Sequence, residues 1–166
     1  NGDYSITMAP TGYLNSILAK SKGGGKGKVK EDIVRDIDNS NKNKKVKMVF
    51  GDESDEAYLE YISLNEGIKE NIVLNEIPKK NEFTFKLKIK GMSFRMNDDN
   101  NGITFYDKNT GEIAARIEAP FMNDASGEAY SEDITYSMSR QGNSDNYTLT
   151  VAVSEEYLKS QERVYP

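Results

Sequence analysis

Three turn-like runs hold the side chains with the most capacity for chemistry. Asn97-Asp98-Asp99-Asn100-Asn101-Gly102 sets oxygen donors at alternate positions with a glycine at the sixth, as a calcium-binding loop begins. Such a loop needs a bidentate Glu at its twelfth position, and that position here is Lys108, so a hairpin turn is the better reading. Asp124, Glu128, Glu132 and Asp133 crowd a second loop, and Gly51-Asp52-Glu53-Ser54-Asp55-Glu56 forms a third. Paired carboxylates can serve a glycosidase as acid and base, but only when held about 5–9.5 Å apart across a cleft. Charge-rich turns more often stay solvated. Asp98, Asp99, Asn101, Asp124 and Glu128 are therefore the weak metal-ligand candidates, and no catalytic residue, cofactor site or established metal site is expected.

The residue types that are missing narrow the chemistry further. The chain has no histidine and no cysteine. That removes the usual general base, the usual metal ligand, Ser–His and Cys–His arrangements, thiolate zinc sites and any disulfide scaffold. Gly23-Gly24-Gly25-Lys26-Gly27-Lys28 lacks the G-x-x-x-x-G-K-[ST] frame of a phosphate loop. The run Lys20 to Lys30, interrupted by glycine and free of aromatics, reads as a flexible solvated loop. A net charge of -5 argues against a nucleic-acid partner, because phosphate recognition needs a basic surface. No run approaches the roughly 20 apolar residues that span a bilayer as a helix. Asn1 in place of Met suggests a chain that begins inside a longer protein.

The elements that must position these turns are strands. Phe83, Phe85, Leu87 and Ile89 alternate with Thr84, Lys86, Lys88 and Lys90, the period of a half-buried strand with a lysine-lined outer face. After Gly91, Met92, Phe94 and Met96 resume the alternation. Strands at Ile103–Tyr106 and Ile113–Glu118 follow, separated by turns at 97–102 and 107–111. Beyond the reversal at 123–132, Ile134, Tyr136 and Met138 mark one strand, and Tyr147, Leu149, Val151 and Val153 mark the next. Ser154 looks like an N-cap for a short helix through Tyr157 and Leu158. Upstream, Tyr4, Ile6 and Met8 suggest an edge strand. Val46, Met48 and Phe50 suggest another, and Leu59–Ser63 with Ile68–Leu74 suggest a hairpin. Val29, Ile33, Val34 and Ile37 sit at helical spacing. With only 36% hydrophobic residues, the ten Tyr and six Phe must supply much of the core, Phe121 and Met122 among the plugging residues. The fold class expected is mostly β, an antiparallel β-sandwich of hairpin meanders with a minor helix.

Several segments also resemble a known context. They are Gly67-Ile-Lys-Glu-Asn-Ile-Val-Leu74, Phe105-Tyr-Asp-Lys108, Ala119-Pro-Phe-Met122, Asp124-Ala-Ser-Gly-Glu128 and Glu162-Arg-Val-Tyr-Pro166. In this order, over about 46–166, they resemble the β-rich module that precedes DNRLRE-type domains in Gram-positive surface and secreted proteins, wall-associated YD-repeat (Rhs-like) polymorphic toxins included. Residues 1–45, an N-terminal strand and a Gly/Lys-rich loop or insertion, lie outside the resemblance, although one compact domain overall is expected. The resemblance implies a non-enzymatic structural or presentation module of a secreted or cell-wall protein, a toxin or adhesin, whose partners are neighbouring domains of the same polypeptide. The alternative is a module that binds cell-wall glycan or a host surface through exposed Tyr rings and acidic loops. Neither reading involves nucleic acid or membrane insertion.

Overall fold

A computed structural model describes residues 4–21, 28–32 and 45–166. In chain order the elements are β1 (Ser5–Thr11), α1 (Gly12–Lys20), β2 (Lys28–Asp32), β3 (Lys45–Phe50), β4 (Ala57–Leu64) and β5 (Gly67–Leu74). They continue with β6 (Glu82–Lys90), β7 (Met92–Met96), β8 (Ile103–Asp107), β9 (Ile113–Ile117), β10 (Met122–Asn123) and β11 (Tyr130–Ser131). β12 (Ile134–Arg140), β13 (Asn146–Val153) and α2 (Glu155–Lys159) complete the chain. The fold is mostly β and antiparallel throughout, as its alternating patterns require. It divides into two compact units, Asn1–Leu14 with Lys79–Pro166, and Asn15–Pro78.

In the first unit, β6 runs between β1 and β13, and β12 closes the sheet in the order β1-β6-β13-β12. Phe83, Phe85, Leu87 and Ile89 are each 2% exposed or less, while Lys86, Lys88 and Lys90 face outward. Each such apolar burial is worth about 1.5–3 kcal/mol, so this one strand anchors the unit. Register places Pro10 opposite Phe85 on the edge strand β1, where a residue lacking an N–H is tolerated. Gly91, at φ 69, turns β6 sharply into β7. The sheet β7-β8-β9 then covers the four-stranded one: Phe94 of β7 meets Tyr147 of β13 edge-on at 5.2 Å, and Phe105 is fully buried. The first unit is thus a small two-sheet sandwich. Ser154 caps α2 as its side chain suggested, its Oγ accepting from Tyr157 N at 3.2 Å.

The second unit is a meander in the order β2-β3-β4-β5. Gly51 leaves β3 with φ +95, a value β-carbon sterics oppose, and a β-carbon there would lie 2.9 Å from Leu18 of α1. The strands at 46–50, 59–63 and 68–74 lie where alternation places them.

Three local expectations change. The helical spacing of Val29 to Ile37 does not make a helix at its start, since Lys28–Asp32 pairs with β3 as a strand, and Ile33, Val34 and Ile37 fall outside the described residues. Backbone pairing with β3 outweighs a weak one-residue-per-turn apolar signal. Of the basic run read as a loop, Lys28 to Lys30 therefore belong to a strand, and positions 22–27 lie outside the described residues. Phe121 is 46% exposed, so it is not a core plug, because β10 and β11 are only two residues long and bring no layer over it. The helix α1 is an element that strand alternation does not predict.

Truncating Phe105 to Ala empties the centre of the two-sheet core. Its expected cost is about 3–5 kcal/mol, read as a lowered denaturant midpoint at unchanged slope.

Candidate functional site

The structure resolves the first predicted loop into a self-contained turn. Asn97 Oδ1 accepts from Asn101 N at 2.9 Å and from Gly102 N at 3.1 Å, while its amide Nδ2 donates to Asn101 Oδ1 at 2.6 Å. The side-chain oxygen that a cation would need from Asn101 is thereby engaged. Asp98 and Asp99 are exposed at the tip. Among the described residues no group of three His, Cys, Asp or Glu could hold a metal ion.

The loop at 123–133 behaves differently. Asp124 Oδ1 accepts from Ser126 Oγ at 2.6 Å, and from Ser126 N and Gly127 N at 3.1 Å each. Its Oδ2 accepts from Val164 N at 3.2 Å, and the Arg163 guanidinium lies 3.9 Å away. These bonds, above all from Ser126 and then Val164 and Gly127, hold the Asp124 carboxyl below the ordinary carboxylate range. With its side chain 2% exposed and its oxygens engaged, Asp124 stays ionised and offers no open face to a metal or substrate. Arg163 is pinned in turn: it lies 3.7 Å over the Tyr157 ring, and its Nε donates to Tyr157 O at 3.0 Å. Ala125 N donates to Val164 O at 2.9 Å, and Tyr157 OH to Ala129 O at 3.1 Å. The two motifs around Asp124 and Arg163 thus form one lock. Glu128 is exposed on its rim, and Glu132 accepts a 2.5 Å bond from Tyr130 OH.

The turn at 51–56 is likewise organised by its own backbone and by Asn75, whose amide donates to Glu53 O at 2.8 Å and Asp55 O at 2.6 Å. Asp55 Oδ2 is buried there with no hydrogen-bond partner among the described residues.

A cluster that sequence reasoning passed over lies across β3, β4 and β5. Tyr61 OH donates to Glu70 Oε1 at 2.9 Å, and Phe50 packs edge-on against the Tyr61 ring at 5.5 Å. Burial raises the Glu70 carboxyl to about 7, against the smaller lowering effect of the Tyr61 bond. Burial and the neighbouring Glu70 push the Tyr61 phenol up. On the opposite face Lys47 pairs with Glu60, which is 8% exposed and also accepts from Asn71 Nδ2 at 3.2 Å. A signal was present: the two-residue turn Asn65-Glu66 sets Leu64 against Gly67, and that register places Tyr61 opposite Glu70 and Glu60 opposite Asn71. A carboxyl tuned near neutrality beside a phenol can exchange a proton at pH 7.

Comparison with known proteins points to a class: bacterial nucleases that act on tRNA. The chain is 29% identical to the tRNA nuclease WapA of Bacillus subtilis strain 168 across its whole length, and it spans 7% of that protein. It is 30% identical, over 72% of its length and 5% of theirs, to the tRNA(Glu)-specific nuclease WapA of Bacillus subtilis subsp. natto and to the tRNA3(Ser)-specific nuclease WapA of Bacillus spizizenii. No protein-family profile and no solved structure matches the chain. These relatives are wall-associated proteins of Gram-positive Bacillus, in line with the wall-associated part of the expectation, and no helix among the described residues is long and apolar enough to cross a membrane.

Two expectations are corrected by this finding. The similarity found is to WapA tRNA nucleases, not to a module defined by a following DNRLRE-type domain. The non-enzymatic presentation module, and with it the glycan- or surface-binding alternative, gives way to relatives named for catalysis. The physical reason is one of scope. The absence of histidine constrains only these 166 residues, whereas the relatives' activity belongs to proteins of which this stretch is a small fraction.

Two pH effects of opposite sign are expected. Glu70 binds its proton more tightly folded than unfolded, so stability falls as pH rises from about 4.5 to about 7, by on the order of 1–3 kcal/mol. Unfolding of Glu70→Gln across that range loses the slope. Asp124 is depressed instead, so its contribution is full above the ordinary carboxylate value of about 4 and is lost as pH falls through its folded value. Asp124→Ala frees the Val164 amide to hydrogen exchange at neutral pH, whereas the unsubstituted chain frees it only in acid.

Proposed function

We propose that the polypeptide containing this chain is a wall-associated or secreted tRNA nuclease of the WapA kind. The observation that carries the reading is an alignment that runs through all of this chain. Cleavage belongs to the whole polypeptide, and this chain contributes a β-rich portion of it.

Charge distribution within the chain supports a tRNA substrate better than the net charge suggests. Residues 20–47 hold ten Lys or Arg against four Asp or Glu, a net of +6, so the remainder of a chain at -5 carries -11. Register sets Lys30 opposite Lys47 and Lys28 opposite Val49 on adjacent strands. Like charges directly opposite are destabilising unless an anion compensates them, and an RNA backbone is such an anion.

The test incubates the whole polypeptide with a mixed tRNA pool at neutral pH and reads the products on a sequencing gel. Discrete tRNA fragments are expected, and tRNA left intact by stoichiometric protein overturns the reading. In the same assay Lys28→Gln with Lys30→Gln raises KM for tRNA and flattens its salt dependence, by about one unit of log–log slope for each phosphate no longer neutralised.

A further inference from the structure

We infer that Phe121 and Tyr130 form the docking surface on which the stretch of the same polypeptide following Pro166 packs. The two rings stack at 5.7 Å with 28° between their planes, yet they are 46% and 57% exposed. A stacked aromatic pair left in water forgoes the area that aromatics ordinarily bury, and rigid aromatic anchors of this kind dominate protein interfaces. The pair is held in place before any partner arrives. The ladder of β10 and β11 sets Asn123 against Tyr130, Tyr130 OH is tied to Glu132, and the loop between the two strands is closed on Asp124. Little ordering cost therefore remains for binding.

The occupant follows from where the chain runs next. Asp124 and Ala125, in the loop joining the two strands that carry the pair, hold Val164 through Asp124 Oδ2 and through a 2.9 Å bond from Ala125 N to Val164 O. Val164 is itself 48% exposed. Whatever follows Pro166 thus starts two residues from a clamp on the aromatic loop, and each further extended residue reaches about 3.3–3.6 Å. Such tethering gives a high effective concentration without any added contact. In the B. subtilis strain 168 relative the matching stretch is 7% of the protein, so far more chain is joined to it there. This inference is independent of the substrate.

The test uses the whole polypeptide with a photo-crosslinking phenylalanine analogue at position 130. Cross-links within the same chain to residues beyond 166 are expected. In the unsubstituted polypeptide, hydroxyl-radical oxidation of Tyr130 is expected to be several-fold lower than that of a solvent-exposed tyrosine peptide standard. Cross-links to a second copy, to residues preceding this chain or to tRNA overturn the proposal, as does oxidation equal to the standard. Phe121→Ala with Tyr130→Ala should speed hydrogen exchange beyond Pro166 and leave β6 and β13 unchanged. Faster exchange in β6 and β13 as well would mean that the pair supports its own unit, and would overturn the docking role.

Discussion

Burial of one face of β6 is the constraint on which the first unit depends. Phe83, Phe85, Leu87 and Ile89 leave water together because a strand presents alternate residues to one side. Their neighbours across β1 and β13 must then fall into register, since a one-residue slip would move every apolar side chain to the lysine face. Phe94 and Phe105 close over that stripe from the second sheet, and the loops at 97–102 and 123–133 are displayed from it. The second unit has its own, smaller core around Leu59, Ala57 and Val49.

On this scaffold the acidic turns divide by what their carboxylates touch. Asp98 and Asp99 meet solvent, and Asp124 meets backbone amides and a serine hydroxyl. A carboxylate saturated with donors keeps its charge and loses its capacity to carry protons, which is why the loop that looked most like a site works as a fastening. Glu70 shows the converse. It has one phenol donor and a half-buried place, so its proton is retained up to about neutral pH. Residue type alone cannot separate these cases, because both are acids near strand ends.

The comparisons change the level at which function is read. Net charge and missing histidines describe a stretch of 166 residues, while catalysis in the relatives is a property of much longer chains. Averaging over the chain also hid the opposed charges of residues 20–47 and the remainder.

Strand positions, the tight turns and the Ser154 cap were legible in the residues themselves, because each depends on local periodicity or on a side chain reaching its own backbone. The helix α1 had a trace in Leu14, Ile17 and Leu18 at helical spacing, too short to stand out beside a Gly/Lys-rich neighbour. The strand β2 had almost none, since Lys28-Val29-Lys30-Glu31-Asp32 becomes a strand only by pairing with β3. The joining of Asp124 to Val164 across 40 residues, the exposure of Phe121 and the raised Glu70 carboxyl were decided by tertiary structure alone. Alternation is written in sequence because it depends on neighbours along the chain. Burial of a charge or exposure of a ring depends on which distant segments arrive beside it.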